Sequence, residues 1–277
     1  MKRYKLILFF FAGLLSFAPL EAQKTKTLLI LQTSDTHSQI EPIDQKGNRD
    51  YNKGGFVRRI NLIKGMRRTD PSLLLFDCGD FCQGTPYFNI YKGNAEVDLM
   101  NCMRYDAGTI GNHEFDFGLD NMKRLFTRCS YPIVCSNYDC STTVLKDVVK
   151  QYVVLHRKGL RIGVFGLSPQ LKGLVQAKNY GSIVYLDPVA TANRVAAILH
   201  SKEKCDVVIC LSHLGIDADK VLIARTRNID VVLGGHSHTF MRSDQSYTNL
   251  DGKIIKVLHT GARGVNVGKT VMTLKEK

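Results

Sequence analysis

The sequence predicts an α/β fold of βαβ type, and three observations carry that prediction. Short apolar runs recur along the chain, each stopping at polar or turn-forming residues, as buried strands do. Stretches with helical spacing lie between successive runs. Near the end of the chain the pattern changes to alternation broken by glycines, which adds antiparallel strands to a mostly parallel sheet.

The elements follow in order. Residues 1–22 open with Lys2, Arg3 and Lys5, continue through an apolar run that includes Phe9, Phe10 and Phe11, and end at Glu21 and Ala22. A basic start, a short apolar stretch and a small residue before a polar segment read as a secretory signal peptide. The apolar run is shorter than the roughly 20 residues a spanning helix needs. Export to the periplasm or cell envelope of a bacterium is therefore expected, with residues 23–277 as the mature domain. Strands are expected at 27–33, 73–76, 107–110, 161–167, 206–211 and 229–233. Helices are expected at 56–66, 119–128 and 188–200, the last opened by Asp187 and Pro188. Residues 253–258 and 268–274 alternate and are expected to pair with each other.

Composition narrows the function. With 277 residues, 44% hydrophobic and 23% charged, the chain is an ordinary globular mix that can bury a full core. The absence of a visible repeat argues against solenoids and propellers. The net charge is +13. Its basic residues are dispersed, as at Arg58–Arg59, Arg67–Arg68 and Lys202/Lys204, without the run that marks a nucleic-acid arm. Nucleic acid is not expected as a partner, nor a stable membrane span. The eight cysteines lack the paired spacing of zinc ribbons. They are expected to be mostly buried thiols, with a bridge among Cys129, Cys135 and Cys140 left open. Cys78 and Cys82 are expected as free thiols packed beneath the site.

The chemistry lies where the strands stop. The first run ends at Asp35-Thr36-His37, the second at Asp77-Cys78-Gly79-Asp80, the third at Gly111-Asn112-His113-Glu114. Later runs end at Ser212-His213 and Gly234-Gly235-His236-Ser237-His238, whereas the run at 161–167 has no such ending. Ligands of open α/β sheets bind outside the carboxyl ends of the strands. Five of the eight histidines, at 37, 113, 213, 236 and 238, fall in these endings. Asp35, His37, Asp80, Asn112, His213, His236 and His238 form an O/N donor set too large for one tetrahedral ion. It suits two ions sharing a carboxylate. The glycine pair before His236 is expected to let the backbone turn sharply. These endings are expected at the same end of one sheet. Asp77 is expected to steady a ligand, Glu114 to cap backbone amides, and Gln83-Gly84-Thr85 to form a turn.

This ordered set resembles the calcineurin-like metallophosphoesterase superfamily, and within it the secreted bacterial 5′-nucleotidases. The resemblance runs from about Thr27 to about Leu274. It rests on Gly79-Asp80-Phe81-Cys82-Gln83-Gly84-Thr85, on Tyr105-Asp106-Ala107-Gly108-Thr109-Ile110-Gly111-Asn112-His113-Glu114-Phe115-Asp116, on Ser212-His213-Leu214-Gly215 and on Gly234-Gly235-His236-Ser237-His238-Thr239. It implies a four-layer αββα sandwich and two divalent ions, with Mn, Zn, Fe and Co all acceptable to O/N donors. It implies one ion on Asp35, His37 and His238, the other on Asn112, His213 and His236, and Asp80 between them. It implies catalysis by His113 oriented by Asp116, with Asn112 and His113 facing the substrate. The implied reaction is hydrolysis of phosphate monoesters, nucleotides foremost, by a hydroxide bridging the metals. Nucleotide-sugars, cyclic nucleotides and sulfur esters are alternatives, as is a non-catalytic metal-binding envelope protein. Family members continue into a domain that holds the base. No such domain is expected here, and a separately encoded one is the expected partner.

Overall fold

The computed structural model describes residues 25–275; the expected signal peptide lies outside the described residues. In chain order the strands are β1 (Thr25–Thr33), β2 (Leu74–Asp77), β3 (Ala107–Gly108), β4 (Ile133–Val134), β5 (Tyr138–Asp139), β6 (Val149–Lys150), β7 (Tyr152–Arg157), β8 (Leu160–Leu167), β9 (Val184–Tyr185), β10 (Val207–Ser212), β11 (Val231–Gly234), β12 (Gln245–Thr248), β13 (Ile254–His259) and β14 (Gly268–Lys275). The helices are α1 (Phe56–Thr69), α2 (Pro86–Tyr91), α3 (Asn94–Met103), α4 (Gly118–Arg128), α5 (Ala177–Tyr180), α6 (Pro188–Ala197) and α7 (Ile216–Ala224).

Two sheets face each other. The first runs β14-β1-β2-β3-β4-β6 and the second β12-β13-β11-β10-β8-β7. Both have parallel interiors; the first has one antiparallel edge, β14 on β1, and the second has two, β12 on β13 and β7 on β8. Strand alternation assigns the layers, because successive side chains point to opposite faces. On the first sheet Ile30, Leu74 and Phe76 turn inward to meet Ile162, Val164, Ile209 and Leu233 of the second. Their neighbours Leu31, Leu73 and Leu75 turn outward under Ile63 of α1, Met100 of α3 and Leu125 of α4. On the second sheet Phe165 and Leu167 pack under Ala192 and Val195 of α6 and Leu222 of α7. These three apolar layers are the interior of the αββα sandwich.

Local chemistry starts α6 as expected. Asp187 caps it by accepting from the Ala190 amide at 2.7 Å, and Pro188 takes a position where no amide is needed. The helix continues beyond Ala197 as one π turn, Ile198–Lys202.

The tail departs from expectation. β13 and β14 alternate but do not pair. β13 lies parallel to β11 in the second sheet, and β14 runs antiparallel to β1 in the first, from Gly268 opposite Gln32 to Lys275 opposite Thr25. Alternation fixes which face a strand buries, not its partner. The intervening loop carries the chain from one sheet to the other, where β14 covers the edge of β1.

All eight cysteines are free. Six are buried, as expected of most, while Cys129 is partly buried and Cys102 exposed. Cys78 lies between the sheets with its Sγ 3.2 Å from the Leu233 carbonyl, while Cys82 lies in the layer beneath the helices. Burial pushes both thiols well above the ordinary range, with Asp77 adding for Cys78 and Glu114 for Cys82. They remain protonated packing groups.

Candidate dinuclear metal centre

Six of the seven candidate donors come together in two groups, although they come from both sheets and not from one. β1, β2 and β3 deliver Asp35 and His37, Asp80, and Asn112; β10 and β11 deliver His213, and His236 with His238. The sandwich sets these carboxyl ends side by side. Parallel β8 ends there too, but on Ser168, whose hydroxyl donates to the Ile110 carbonyl at 2.5 Å.

Five donors sit in left-handed backbone: Asp35 (φ 49°), His37 (46°), Asp80 (57°), His236 (75°) and His238 (53°). Such conformations cost a side-chain-bearing residue roughly 1–3 kcal/mol each, and they cluster at functional sites. Here the surroundings impose them. The Asp35, His37 and Ser38 amides donate to the Gly79, Asp80 and Phe81 carbonyls at 2.9, 3.0 and 2.9 Å, zipping the two loops together. The expectation for Gly234 and Gly235 needs correction, since neither has positive φ. The histidines make the turn, and the glycines give room. A Cβ on Gly234 would lie 2.0 Å from His259 Nε2, and one on Gly235 would lie 3.0 Å from both the Cys78 carbonyl and His213 Nδ1.

Two three-residue groups result: Asp35, His37 and His238, and Asp80, His213 and His236. His37 Nε2 and His238 Nε2 face each other at 2.9 Å. Asp35 Oδ1 stands 3.6 Å from His238 Nε2 and 3.9 Å from His213 Nε2. Asp80 Oδ2 stands 3.1 Å from His213 Nε2 and 4.0 Å from His37 Nε2, so it reaches both groups, as Asp35 Oδ1 does at longer range from His213. The Cys78 carbonyl accepts from His213 Nδ1 at 2.6 Å, which fixes the tautomer and turns Nε2 to the centre. Asn112 is buried beside them with Oδ1 unpartnered, as is Asp35 Oδ2. Buried polar atoms are normally paired. A set of convergent oxygen and nitrogen atoms left unpaired is what a cation would satisfy, and the residues fit divalent ions.

The electrostatics agree. Burial works against a charge on His213, but Asp80 and Asp35 outweigh it and push its pKa up to about 10. Asp80 is held well below the usual carboxylate range by His213, His113 and His37, against its own burial. The carboxylates thus demand positive charge, which a proton supplies and a metal ion could replace.

His113 lies at the rim, in the 3₁₀ turn His113–Phe115. Its amide donates to Asp80 Oδ1 at 2.8 Å, and its Nδ1 lies 3.2 and 3.3 Å from the two Asp116 oxygens. Burial lowers its pKa, but the contact with Asp116 and the charge of Asp80 prevail and raise it. Its ring meets the His37 ring edge-on at 5.4 Å. His37, His113 and His238 line a cleft of about 480 Å³, with Thr85 and Gly84 on one wall.

Supporting residues surround this set. Asp77 accepts from the Gly79 amide at 3.0 Å and the Thr33 hydroxyl at 2.6 Å; burial pushes its carboxyl up to about 7. Glu114 Oε2 accepts from the Asp80 and Gly111 amides, and Oε1 from those of Phe81 and Cys82, at 2.6–3.2 Å. The expected amide cap is therefore present, and it holds the Asp80 loop. Glu114→Gln is expected to leave two of these amides without an acceptor, whichever way the amide turns. Denaturant melts should show a loss of about 3 kcal/mol, since buried unsatisfied donors cost roughly 1–3 kcal/mol each. The Gln83-Gly84-Thr85 turn packs on the His37 loop, with Thr85 Oγ1 donating to the Ser38 carbonyl at 2.8 Å.

Two supports were not legible in the sequence. Buried His259 lies 2.8 Å from Asp219 Oδ2, and Asp219 also takes the Ser212 hydroxyl. Ser, Asp and His meet here, but Ser212 bonds to the acid and not to the imidazole, so nothing activates it as a nucleophile. The network braces Gly234 and His213. Buried Glu96 holds Ser38 beside His37. The only sequence signal for His259 is its position at the end of β13, opposite Gly234.

Residues 28–240 match the calcineurin-like phosphoesterase family. The chain belongs to that family. A 5′-nucleotidase from Diplobatis ommata is 31% identical over 228 residues, covering 80% of this chain and 39% of that protein. The 5′-nucleotidase precursor of Thermus thermophilus superposes with a TM-score of 0.82 at 29% identity, over 90% of this chain and 54% of that one. The NAD nucleotidase of Haemophilus influenzae does so with a TM-score of 0.82 at 26% identity, over 91% and 48%. The chain thus spans about two-fifths of the curated relative's length and about half of each solved one. Family membership and the two ligand groups together support divalent metals. Among the described residues no helix is long and apolar enough to cross a membrane.

Proposed function

We propose that this phosphoesterase domain hydrolyses phosphate monoesters of the nucleotide class with two divalent ions. The observation that carries this reading is Asp80 Oδ2, set between the two ligand groups. Asp35, His37 and His238 would hold one ion, Asn112, His213 and His236 the other, and Asp80 both. Bound there, the ions supply charge for the phosphoryl oxygens and lower the pKa of water. The protein's own residues do the rest. Asp116 keeps the His113 Nδ1 proton in place, which leaves Nε2 to meet a phosphoryl or leaving-group oxygen. Asn112 offers Oδ1 to the centre. The Glu114 cap fixes the Asp80 loop. A purely metal-binding role gives the His113–Asp116 pair at the cleft rim no task.

The cleft lining contains no Phe or Tyr, and a nucleoside gains affinity from enclosure among apolar groups. We therefore place part of the base contact on a separate nucleotide-holding domain that covers His37, Asn112 and His238. The basic-then-apolar pattern of residues 1–22 supports export, and with it an envelope or periplasmic setting.

Protein supplied with Mn or Zn is expected to carry two ions per chain and to cleave 4-nitrophenyl phosphate. Chelation should abolish turnover and added Mn restore it. One ion or none, with no cleavage, would refute the reading.

A further inference from the structure

The basic residues are dispersed in the sequence, but the fold gathers them. Parallel strands place the candidate metal centre at one end of both sheets, which leaves the strand starts at the other. The segments that join the elements at that other end are residues 25–26, 67–72, 104–106, 128–131, 157–161, 202–206, 225–230, 249–253 and 275. They carry fourteen Lys and Arg against six Asp and Glu. The segments around the metal centre, 34–55, 78–85, 109–117, 213–215, 235–244 and 260–267, carry five against eight. The molecule is therefore electrostatically lopsided along the strand direction, with its basic end farthest from the candidate site.

Contacts tie this end together across both sheets. Asp106 lies between Arg67, at 3.7 Å, and Arg157, and the Arg67 guanidinium also donates to the Arg104 carbonyl at 2.6 Å. Lys158, at the tip of the β7–β8 hairpin, reaches Asp70 at the end of α1 at 3.2 Å. The acids here are already engaged, Asp230 by Lys253 and Asp251 by Arg227 as well. Helix ends account for part of the excess, because Arg67, Arg68 and Arg128 close α1 and α4, where cations are favoured. Arg104, Lys202, Lys204 and Arg225 are exposed, and none of their side chains has an ion pair or hydrogen bond among the described residues. Apolar groups stand among them. Leu250 and Ile254 flank Lys253 in the β12–β13 turn and are 50% and 60% exposed, and the Arg227 guanidinium donates to the Leu250 carbonyl at 3.0 Å.

We infer that this end is a docking surface for an anionic phospholipid bilayer, which leaves the metal centre facing away from the membrane and open to solution. Charge complementarity carries the inference: unpaired cations on one end of a protein orient it on a negative surface. The exposed leucine and isoleucine select the partner. They gain nothing from a nucleic-acid backbone, whereas at a bilayer they enter the boundary between headgroups and acyl chains while the basic side chains rest on lipid phosphates.

The test is cosedimentation with vesicles of phosphatidylcholine alone and of phosphatidylcholine with about one-third phosphatidylglycerol. At low salt the protein is expected to bind the anionic vesicles at least about tenfold more tightly, and to leave them at about 0.5 M salt, where surface charge is screened. Arg104→Glu/Lys204→Glu should weaken that binding at least about tenfold, since each basic residue at a bilayer surface is worth about fivefold. Lys46→Glu/Arg49→Glu changes the net charge equally at the opposite end and should stay within about twofold of wild type. Circular dichroism checks that both variants are folded, and the comparison of vesicles needs no variant at all. Absent binding, equal binding to neutral and anionic vesicles, or a loss in Arg104→Glu/Lys204→Glu no greater than in Lys46→Glu/Arg49→Glu each overturns the docking surface. Chelated and metal-loaded protein should bind alike, so failure of the phosphoesterase reading leaves this test standing.

Discussion

Asp80→Asn is expected to remove at least one of two ions and to lower kcat on 4-nitrophenyl phosphate by about 10³-fold or more, with the fold intact. Asp80 Oδ2 lies within about 4 Å of both His213 Nε2 and His37 Nε2. An amide brings no charge to that point, and one of its two ends cannot bind a cation. Electrostatic stabilisers at such sites are worth about 10²–10³-fold singly, and this residue serves two ions at once. The substitution preserves what holds the loop. Asn can still accept from the His113 amide through its oxygen, and Glu114 still takes the Asp80 amide. In metal-free protein the substitution takes from buried His213 the carboxylate that favours its charge, so melting in the absence of metal should fall below wild type. Metal analysis, circular dichroism and turnover together check this. Two ions retained with turnover within tenfold of wild type would disprove the bridging role.

What was legible in the sequence follows from the distance over which each feature acts. Strand endings are local: an apolar run followed by Asp35-Thr36-His37 or Gly234-Gly235-His236-Ser237-His238 announces both a strand and its ligands. The convergence of those endings also follows, because parallel strands bring their carboxyl ends to one side. That two sheets share the task followed only from the family resemblance. Partner choice at the edges is not local, so β14 was expected beside β13 when it covers β1. β7 and β12 lie at the opposite edge positions of the second sheet and were not expected as strands; β12 has no apolar run, whereas β7 carries one at residues 152–155. Close approach is least legible. That Gly234 must clear the His259 ring, or that Glu96 reaches Ser38, depends on contacts between segments far apart in the chain. Glu114 stood between these cases: its place in the motif suggested an amide cap, and the four amides it serves appear only when the β2 and β3 loops meet.

His113→Ala is expected to separate metal binding from turnover. The imidazole belongs to neither three-residue ligand group, and the contact His113 makes with Asp80 is through its main-chain amide, which alanine keeps. Two ions per chain should therefore remain. The lost function is a proton-bearing ring at the cleft rim, partly open to solvent, where an incoming ester can reach it. Loss of a positioned acid or electrostatic donor costs about 10²–10⁴-fold in rate, and the fall should appear in kcat with KM changed far less. Asp116→Asn sharpens the test. Asp116 contacts Nδ1 with both oxygens at 3.2 and 3.3 Å, so a charged partner both orients the ring and favours its protonated form. An amide does neither reliably, because its NH₂ end donates where Nδ1 must. Its expected cost is smaller than that of His113→Ala but in the same parameter, and the double variant should be no slower than His113→Ala alone, since the acid acts only through the ring. Additive losses in the double variant would assign Asp116 a separate role, and a His113→Ala protein short of an ion would make the imidazole a ligand.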